Sequence, residues 1–406
     1  MIARSISAAV LRLLREGRVE IVEDGRRRAF GPPSSELRAT VRVRDPRFWT
    51  AVRSTAPLGE LYAEGGWECD DLVTLVRIFA REMPRFDRAR RPFVPLRSAF
   101  TRIPRNTRNR ARGHIAAHYD LGNDLFALFL DETMTYSCAV FETPDTDLRE
   151  AQEAKLELVC RKLELRSGDH LLEIGTGWGS LALYAAERYG CRVTTTTISA
   201  EQHEVALRRV REARLDGRVT VLRRDYRDLR GSFDKLVSIE MIEAVGWQYF
   251  DEYFRRCGGL LAADGLMLLQ AIVIDDRAYE IEKASGSFIR ELVFPGGCLP
   301  SVERIMRGLA RHTELRVLDL EDITEHYAET VRRWRENFAV ARERAEELGY
   351  DRRFRRLWDL YLAWCEGGFL ERRIADVQLL LAGPGYRRRA PSRELGPVRR
   401  PVEAER

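Results

Sequence analysis

The sequence predicts an α/β fold: a mostly parallel, Rossmann-like sheet covered by helices, preceded by a small α+β domain. Three observations predict it. From about residue 113, short apolar and β-branched runs alternate with helical patterns, which implies a parallel sheet with helices on both faces. The first of those runs ends in a glycine-rich turn, Gly175-Thr176-Gly177-Trp178-Gly179, that opens a helix. The 406 residues suit two domains, one of them large.

Taken in order, residues 1–84 form the small N-terminal domain. Ile6, Val10, Leu13 and Leu14 follow helical spacing and predict an amphipathic first helix. Short β-like runs follow, VEIVED and LRATVRVRD, and then a helical stretch ending in LVTLVRIFAREM. Residues 85–112 read as a basic linker rich in proline and arginine, with Arg85, Arg88, Arg90, Arg91, Arg97, Arg102, Arg105, Arg108, Arg110 and Arg112 against the single acid Asp87. Residues 113–386 hold the alternation: DHLLEIG as the first strand, SLALYAAERYG as a helix closed by glycine, and CRVTTTTIS as the second strand. A helix N-capped by Ser199 comes next. RVTVLRRD, FDKLVSIE and GLMLLQAIVI are the third to fifth strands. Residues 387–406, again rich in proline and arginine, read as a disordered tail.

Composition narrows the class. With 45% hydrophobic and 32% charged residues the chain is soluble and globular, and no window approaches the roughly 18 apolar residues of a membrane span. The N-terminus has no small-residue cleavage site after its apolar part. Seven cysteines without CxxC spacing speak against a disulfide framework and against a zinc site, and the reducing cytoplasm is the simplest compartment. The net charge is only +5 but is concentrated in the linker. That charge fits a phosphate-binding patch, a nucleic acid or a solvated linker, and alone does not choose between them.

The glycine turn by itself fits NAD, a nucleotide or merely a tight turn. Its third glycine comes too early for the dinucleotide fingerprint, and there is no phosphate-binding P-loop. Polar groups cluster where the next strands end, at Thr197, Ile198 and Gln202, at Asp225 and Tyr226, and at Glu240 and Glu243. Ligands of open α/β sheets bind at the carboxyl ends of strands, and this set suits adenosine and methionine recognition. The acidic residue that commonly ends the second strand is absent, replaced by threonines and Gln202. Glu243 lies in an apolar stretch, where a carboxylate is costly without a partner. Taken singly, Tyr136, Tyr327, Cys138 and Cys365 read as core residues.

Together these motifs resemble the cyclopropane-fatty-acyl-phospholipid synthases and their relatives, the mycolic-acid cyclopropane synthases. The resemblance rests on HYDLGND (118–124), MTYSCA (134–139), EIGTGWG (173–179), TISAEQ (197–202), DYRD (225–228), SIEMIEAVG (238–246), FPGGCLPS (294–301), HYAETVRRW (326–334) and YLAWCEGGF (361–369). It extends to LGELYAEGGWECDDL (58–72) in the small domain. It implies a class I, seven-stranded S-adenosylmethionine-dependent methyltransferase fold and a small domain that helps bind lipid. It also implies a bicarbonate ion at the reaction centre. Cofactor contacts carry over to Tyr136, Ser137, Glu173, Gly175, Thr176, Gly177, Trp178, Gly179, Thr197, Ile198, Gln202, Asp225 and Tyr226. The bicarbonate site carries over to Cys138, Glu243, Gln270, the Ile272 backbone and Tyr327, and Cys365 matches a cysteine once regarded as catalytic. Many relatives have histidine at the position of Gln270, and glutamine cannot carry the proton charge.

The implied reaction transfers a methyl group to the cis double bond of an unsaturated phospholipid acyl chain. It leaves a carbocation, and bicarbonate-assisted loss of a proton closes a cyclopropane ring. The same cation, deprotonated otherwise, gives a methylene-branched chain. A small-molecule methyltransferase is the further alternative. The (N/D)PP(Y/F) motif of base methylation is missing, which speaks against a nucleic-acid substrate. The implied setting is cytoplasmic and peripheral, at the inner face of an anionic membrane, with a homodimer left open.

Overall fold

A computed structural model describes residues 2–94, 122–285 and 287–387. In the small domain β1 (Arg18–Glu23), β2 (Arg26–Phe30), β3 (Arg38–Val43) and β4 (Trp67–Cys69) form a sheet in the order β2-β1-β3-β4. β1 and β3 are the two expected runs. β2 escapes a periodicity search because every residue but Phe30 is exposed. The turn that makes it carries the missed signal, Asp24-Gly25 with φ of +51° and +74°, a pair favoured in tight hairpins.

The helices of this domain are α1 (Ile2–Leu11), α2 (Phe48–Ala51), α3 (Thr55–Ala63) and α4 (Leu72–Arg90). In α1, Ala8 and Leu11 are buried, whereas Ile6, Val10 and the following Leu13 face outward, 44%, 44% and 51% exposed. α4 departs from the expected boundary: it runs through Pro84 to Arg90 and does not break there. Two buried carboxylates anchor the turns around the proline. Glu82 accepts from the Glu16 amide at 2.9 Å and from Arg85 at 2.9 Å, and Asp87 accepts from Arg373 at 2.5 Å. The rest of the expected linker, 95–112, and the tail from 388 lie outside the described residues.

The large domain contributes α5 (Asn123–Ala127), α6 (Leu148–Lys162), β5 (His170–Ile174), α7 (Ser180–Tyr189), β6 (Arg192–Thr197), α8 (Ala200–Glu212), β7 (Val219–Arg223), β8 (Phe233–Ile239), α9 (Phe250–Leu260) and β9 (Leu261–Ile274). It continues with α10 (Tyr279–Lys283), α11 (Val302–His312), β10 (Arg316–Asp322), α12 (Thr324–Val340), α13 (Arg342–Glu347), α14 (Arg352–Leu370) and β11 (Ile374–Ala382). Its seven strands are ordered β10-β11-β9-β8-β5-β6-β7. β5 to β9 pair in parallel, and β11 is antiparallel to both β9 and β10. The five parallel strands fall on the five expected runs, and Ser199 caps α8 by accepting from the Gln202 amide. The chain winds outward in both directions from β5 and β8, and the crevice at that reversal is where such sheets bind ligands.

The N-terminal elements pack against α14, and one buried core runs through both. A Cβ on Gly367 of α14 would lie 2.8 Å from Val76, so the glycine lets α4 approach closely. Arg77 and Arg81 of α4 both bind Glu371, at 2.7 and 2.6 Å. Arg356 donates to the Tyr62 and Trp67 carbonyls and lies 4.0 Å from the Tyr62 ring centre.

Candidate active site

The parallel strands β5 to β8 end around one cavity. After β5, Gly175, Gly177 and Gly179 all have positive φ, +105°, +52° and +92°. The loop is pinned to β6 because the Gly175 and Thr176 amides both donate to the Thr196 carbonyl at 3.1 Å. A Cβ on Gly177 would meet no atom within 4 Å, so this position opens onto the cavity. Trp178 is taken up by the core: its indole donates to Asn123 at 2.7 Å and its ring lies 4.9 Å from Phe126. Below the loop Glu173 accepts from Thr195 at 2.5 Å, and burial pushes its carboxyl up to about 8.

At the end of β6, Thr197 donates to the Gln202 amide oxygen at 2.8 Å, and Ile198 lines the cavity beside them. After β7, Tyr226 is buried with its hydroxyl unpartnered among the described residues. Asp225 lines the cavity, and its carboxylate is held by Arg227 in a bidentate pair at 2.8 and 2.7 Å. Tyr136 and Ser137 close the opposite side. The Tyr136 hydroxyl is 2.7 Å from that of Tyr361, and the Ser137 hydroxyl accepts from Lys155 at 2.8 Å. Sequence reasoning missed Lys155, although it interrupts the buried face of α6 between Ala151 and Val159. Burial draws its pKa down.

A second cluster borders the same cavity and centres on a residue that the sequence places at a strand end but to which the resemblance assigns no role. Glu240, just past β8, lines the cavity and has φ of +48°, a left-handed conformation uncommon for a residue with a side chain. Its Oε1 accepts from the Cys138 amide and from the Gln270 side chain, both at 2.8 Å. Its Oε2 accepts from the Tyr327 hydroxyl at 2.5 Å. Gln270 also donates to Asp376 at 2.9 Å and accepts from Gln378 at 3.0 Å. Glu243 accepts from the Ile272 amide at 2.5 Å, and its other oxygen, like Oδ1 of Asp376, is buried without a partner among the described residues. Burial, then repulsion from Glu240, raises the Glu243 carboxyl to about 8. Burial and both glutamates push Asp376 well above its usual range.

The structure thus brings together all five expected anion-site positions, and their donors already serve protein carboxylates. An anion needs donors. Both Gln270 N–H groups, the Tyr327 hydroxyl and the Cys138 amide are spent on protein carboxylates, and so is the Ile272 amide. What remains unpaired among the described residues is one oxygen each of Glu243 and Asp376, carboxyls that burial keeps in the protonated form. Cys138 is fully buried and burial pushes its thiol well up, so it is no nucleophile. Cys365 sits beside Tyr361 with its thiol pushed up to about 12 by burial, which rules against an attacking thiolate at neutral pH.

An aromatic wall surrounds both clusters. Tyr136 lies 5.1 Å from Phe126 and 5.2 Å from Trp334, and Tyr327 stacks on Phe369 at 4.3 Å. Tyr361 lies 5.0 Å from Trp358 and 5.9 Å from Phe294.

Comparison with known proteins agrees with this geometry. Residues 106–379 match the family described as mycolic acid cyclopropane synthetase. The tuberculostearic acid methyltransferase UfaA1 of Mycobacterium tuberculosis is 41% identical over 77% of this chain and 75% of its own. The cyclopropane-fatty-acyl-phospholipid synthase of Escherichia coli K12 is 37% identical over 84% of this chain and 86% of its own. Among solved structures, the mycolic acid cyclopropane synthase CmaA1 complexed with SAH and CTAB superposes with a TM-score of 0.62 at 32% identity, over 67% of this chain and 98% of that one.

Proposed function

This chain belongs to the mycolic acid cyclopropane synthetase family and is an S-adenosylmethionine-dependent methyltransferase, and from that premise we propose that it alkylates the cis double bond of an unsaturated phospholipid acyl chain and closes a cyclopropane ring. The observation that carries this reading is the shared cavity: the glycine loop, Tyr136 and Glu240 line one space, and Tyr327 and Tyr361 are hydrogen-bonded to Glu240 and Tyr136 behind that lining. S-adenosylmethionine, bound by the glycine loop with Thr197, Gln202 and Tyr226, supplies an electrophilic methyl group. An alkene is a weak nucleophile, so the protein's task is to align it and keep water out. The cation left on the acyl chain is then met by π faces and by a carboxylate.

A second reading, the same methyl transfer ending in a methylene or methyl branch, is favoured by the 41% identity to a protein named for tuberculostearic acid.

The exposed residues Ile6, Val10 and Leu13 support a membrane surface as the place of work. The basic end of α4 adjoins them, because Arg85 donates to the Leu13 carbonyl at 3.0 Å and Arg88, Arg90 and Arg91 are exposed. An apolar stripe beside arginines suits the interface of an anionic leaflet, each cation contributing roughly 1 kcal/mol there. No described helix is long and apolar enough to cross a membrane. The test supplies the purified protein and methyl donor with vesicles of unsaturated phosphatidylglycerol, unsaturated phosphatidylcholine or saturated phosphatidylglycerol. Turnover on the first, weakened by salt, and none on the saturated lipid is expected. Equal methylation of small soluble acceptors without vesicles would refute the lipid assignment.

A further inference from the structure

We propose that Glu240 is the general base of the reaction, a carboxylate built into the protein where an external ion was expected; this rests on the alkene-methylation reading above. The donors that the family resemblance assigns to bicarbonate converge on its two oxygens: Tyr327 at 2.5 Å, and Gln270 and the Cys138 amide at 2.8 Å. Each of these contacts has the carboxylate accepting, which favours its ionised form. The nearby Glu243 and Asp376 differ, each keeping one oxygen without a donor among the described residues. Burial raises the Glu240 carboxyl, and the Tyr327 hydroxyl, the Cys138 amide, Lys155 and Gln270 all act against that rise by favouring its charged form. The cluster therefore holds one anion, and Glu240 carries it.

The backbone supports the same assignment. A left-handed φ of +48° favours glycine; holding glutamate there costs on the order of 1–3 kcal/mol and is characteristic of functional positions. The strain turns the side chain toward Tyr327 and Gln270 while the residue still lines the ligand cavity. Oε1 accepts two hydrogen bonds and Oε2 one, so Oε2 retains a lone pair for a proton.

The step balances without another reactant. The alkene π pair forms the bond to the incoming methyl carbon as the sulfur–carbon pair leaves with sulfur, and a neighbouring carbon becomes cationic. Oε2 takes a proton from the transferred methyl group, and the released C–H pair forms the second ring bond. After a hydride shift on the chain, the same proton loss forms an exocyclic double bond instead. The proton departs to solvent through the cavity once the products leave.

The experiment measures lipid methylation by wild type, Glu240→Gln and Glu240→Gly in degassed buffer across series of bicarbonate and of formate. Homocysteine-cofactor binding is followed by calorimetry and folding by circular dichroism. Wild type should respond flatly to both anions. Glu240→Gln should lose about 10²-fold or more in turnover, the usual contribution of a positioned base, while still binding S-adenosylhomocysteine. Glu240→Gly relieves the backbone and frees the donors, so added formate or bicarbonate should restore part of its rate, a gain that a merely structural role would not produce. Wild-type activity that rises with bicarbonate overturns the proposal. So does a near-normal Glu240→Gln, or a folded, cofactor-binding Glu240→Gly that neither anion rescues. Wild-type methylation of the vesicles reads out the activity itself, so failure of that reading shows in the wild type and failure of this one in the anion series and the variants.

Discussion

Glu243→Gln should stabilise the protein at alkaline pH and leave it unchanged in acid. In the folded chain burial and the Glu240 charge raise the Glu243 carboxyl from 4.5 to about 8, so the folded state keeps a proton that the unfolded chain releases. The sign follows: a raised carboxyl costs nothing below about 4.5, and its penalty grows as pH climbs toward 8 and is complete above it. At about 1.36 kcal/mol per unit, that interval has an upper value of about 5 kcal/mol; relaxation around the charge reduces this to a few. Glutamine keeps the oxygen that accepts from the Ile272 amide and never ionises. Urea denaturation of both proteins at pH 4 and pH 9 measures the difference. The stability gap should be near zero at the lower pH and favour the variant by a few kcal/mol at the higher one. Parallel pH profiles would refute the reasoning, because they would mean that Glu243 is as readily charged inside the protein as outside.

Two further outcomes follow from the site. Gly177→Asp has a left-handed backbone that aspartate tolerates, but it projects a charged side chain into the cavity; calorimetry should show cofactor binding lost with a native circular dichroism spectrum, and unchanged affinity would remove the glycine loop from the binding site. Cys365→Ser should turn over within a few-fold of wild type, because a thiol pushed up to about 12 supplies almost no thiolate; a loss of 10²-fold or more with intact folding would restore a covalent role.

The parallel core was legible because its signals are local. The five runs from DHLLEIG to GLMLLQAIVI lie on β5 to β9, and the glycine turn lies where a βα loop must. β10 and β11 were visible only through the family's strand count. β10 is an exposed edge whose sequence, RVLDLED, lacks a buried face, and β11 is defined by its long-range pairing with β9. The end of α4 was misplaced because proline normally breaks a helix, whereas here the Asp87–Arg373 ion pair, 286 residues apart in sequence, holds its last turns. At the site, residue identities carried over but their bonding did not. Nothing in SIEMIEAVG says which of two glutamates meets Tyr327 and Gln270. That depends on the left-handed turn at Glu240, a property of the folded chain. Asp225 likewise matched a motif, but only the fold shows Arg227 curling back on it.

The central claim, carbon alkylation of a lipid followed by loss of a proton from the transferred group, is tested most directly by a donor carrying a fully deuterated methyl. Purified protein, this donor and unsaturated phosphatidylglycerol vesicles would be incubated, and the acyl chains analysed by mass spectrometry with fragmentation. The acyl chain should gain one carbon bearing two of the three deuterium atoms at the former double bond, whether as a ring or as a methylene branch. A product that retains all three deuterium atoms, or label found only outside the acyl chain, would contradict it.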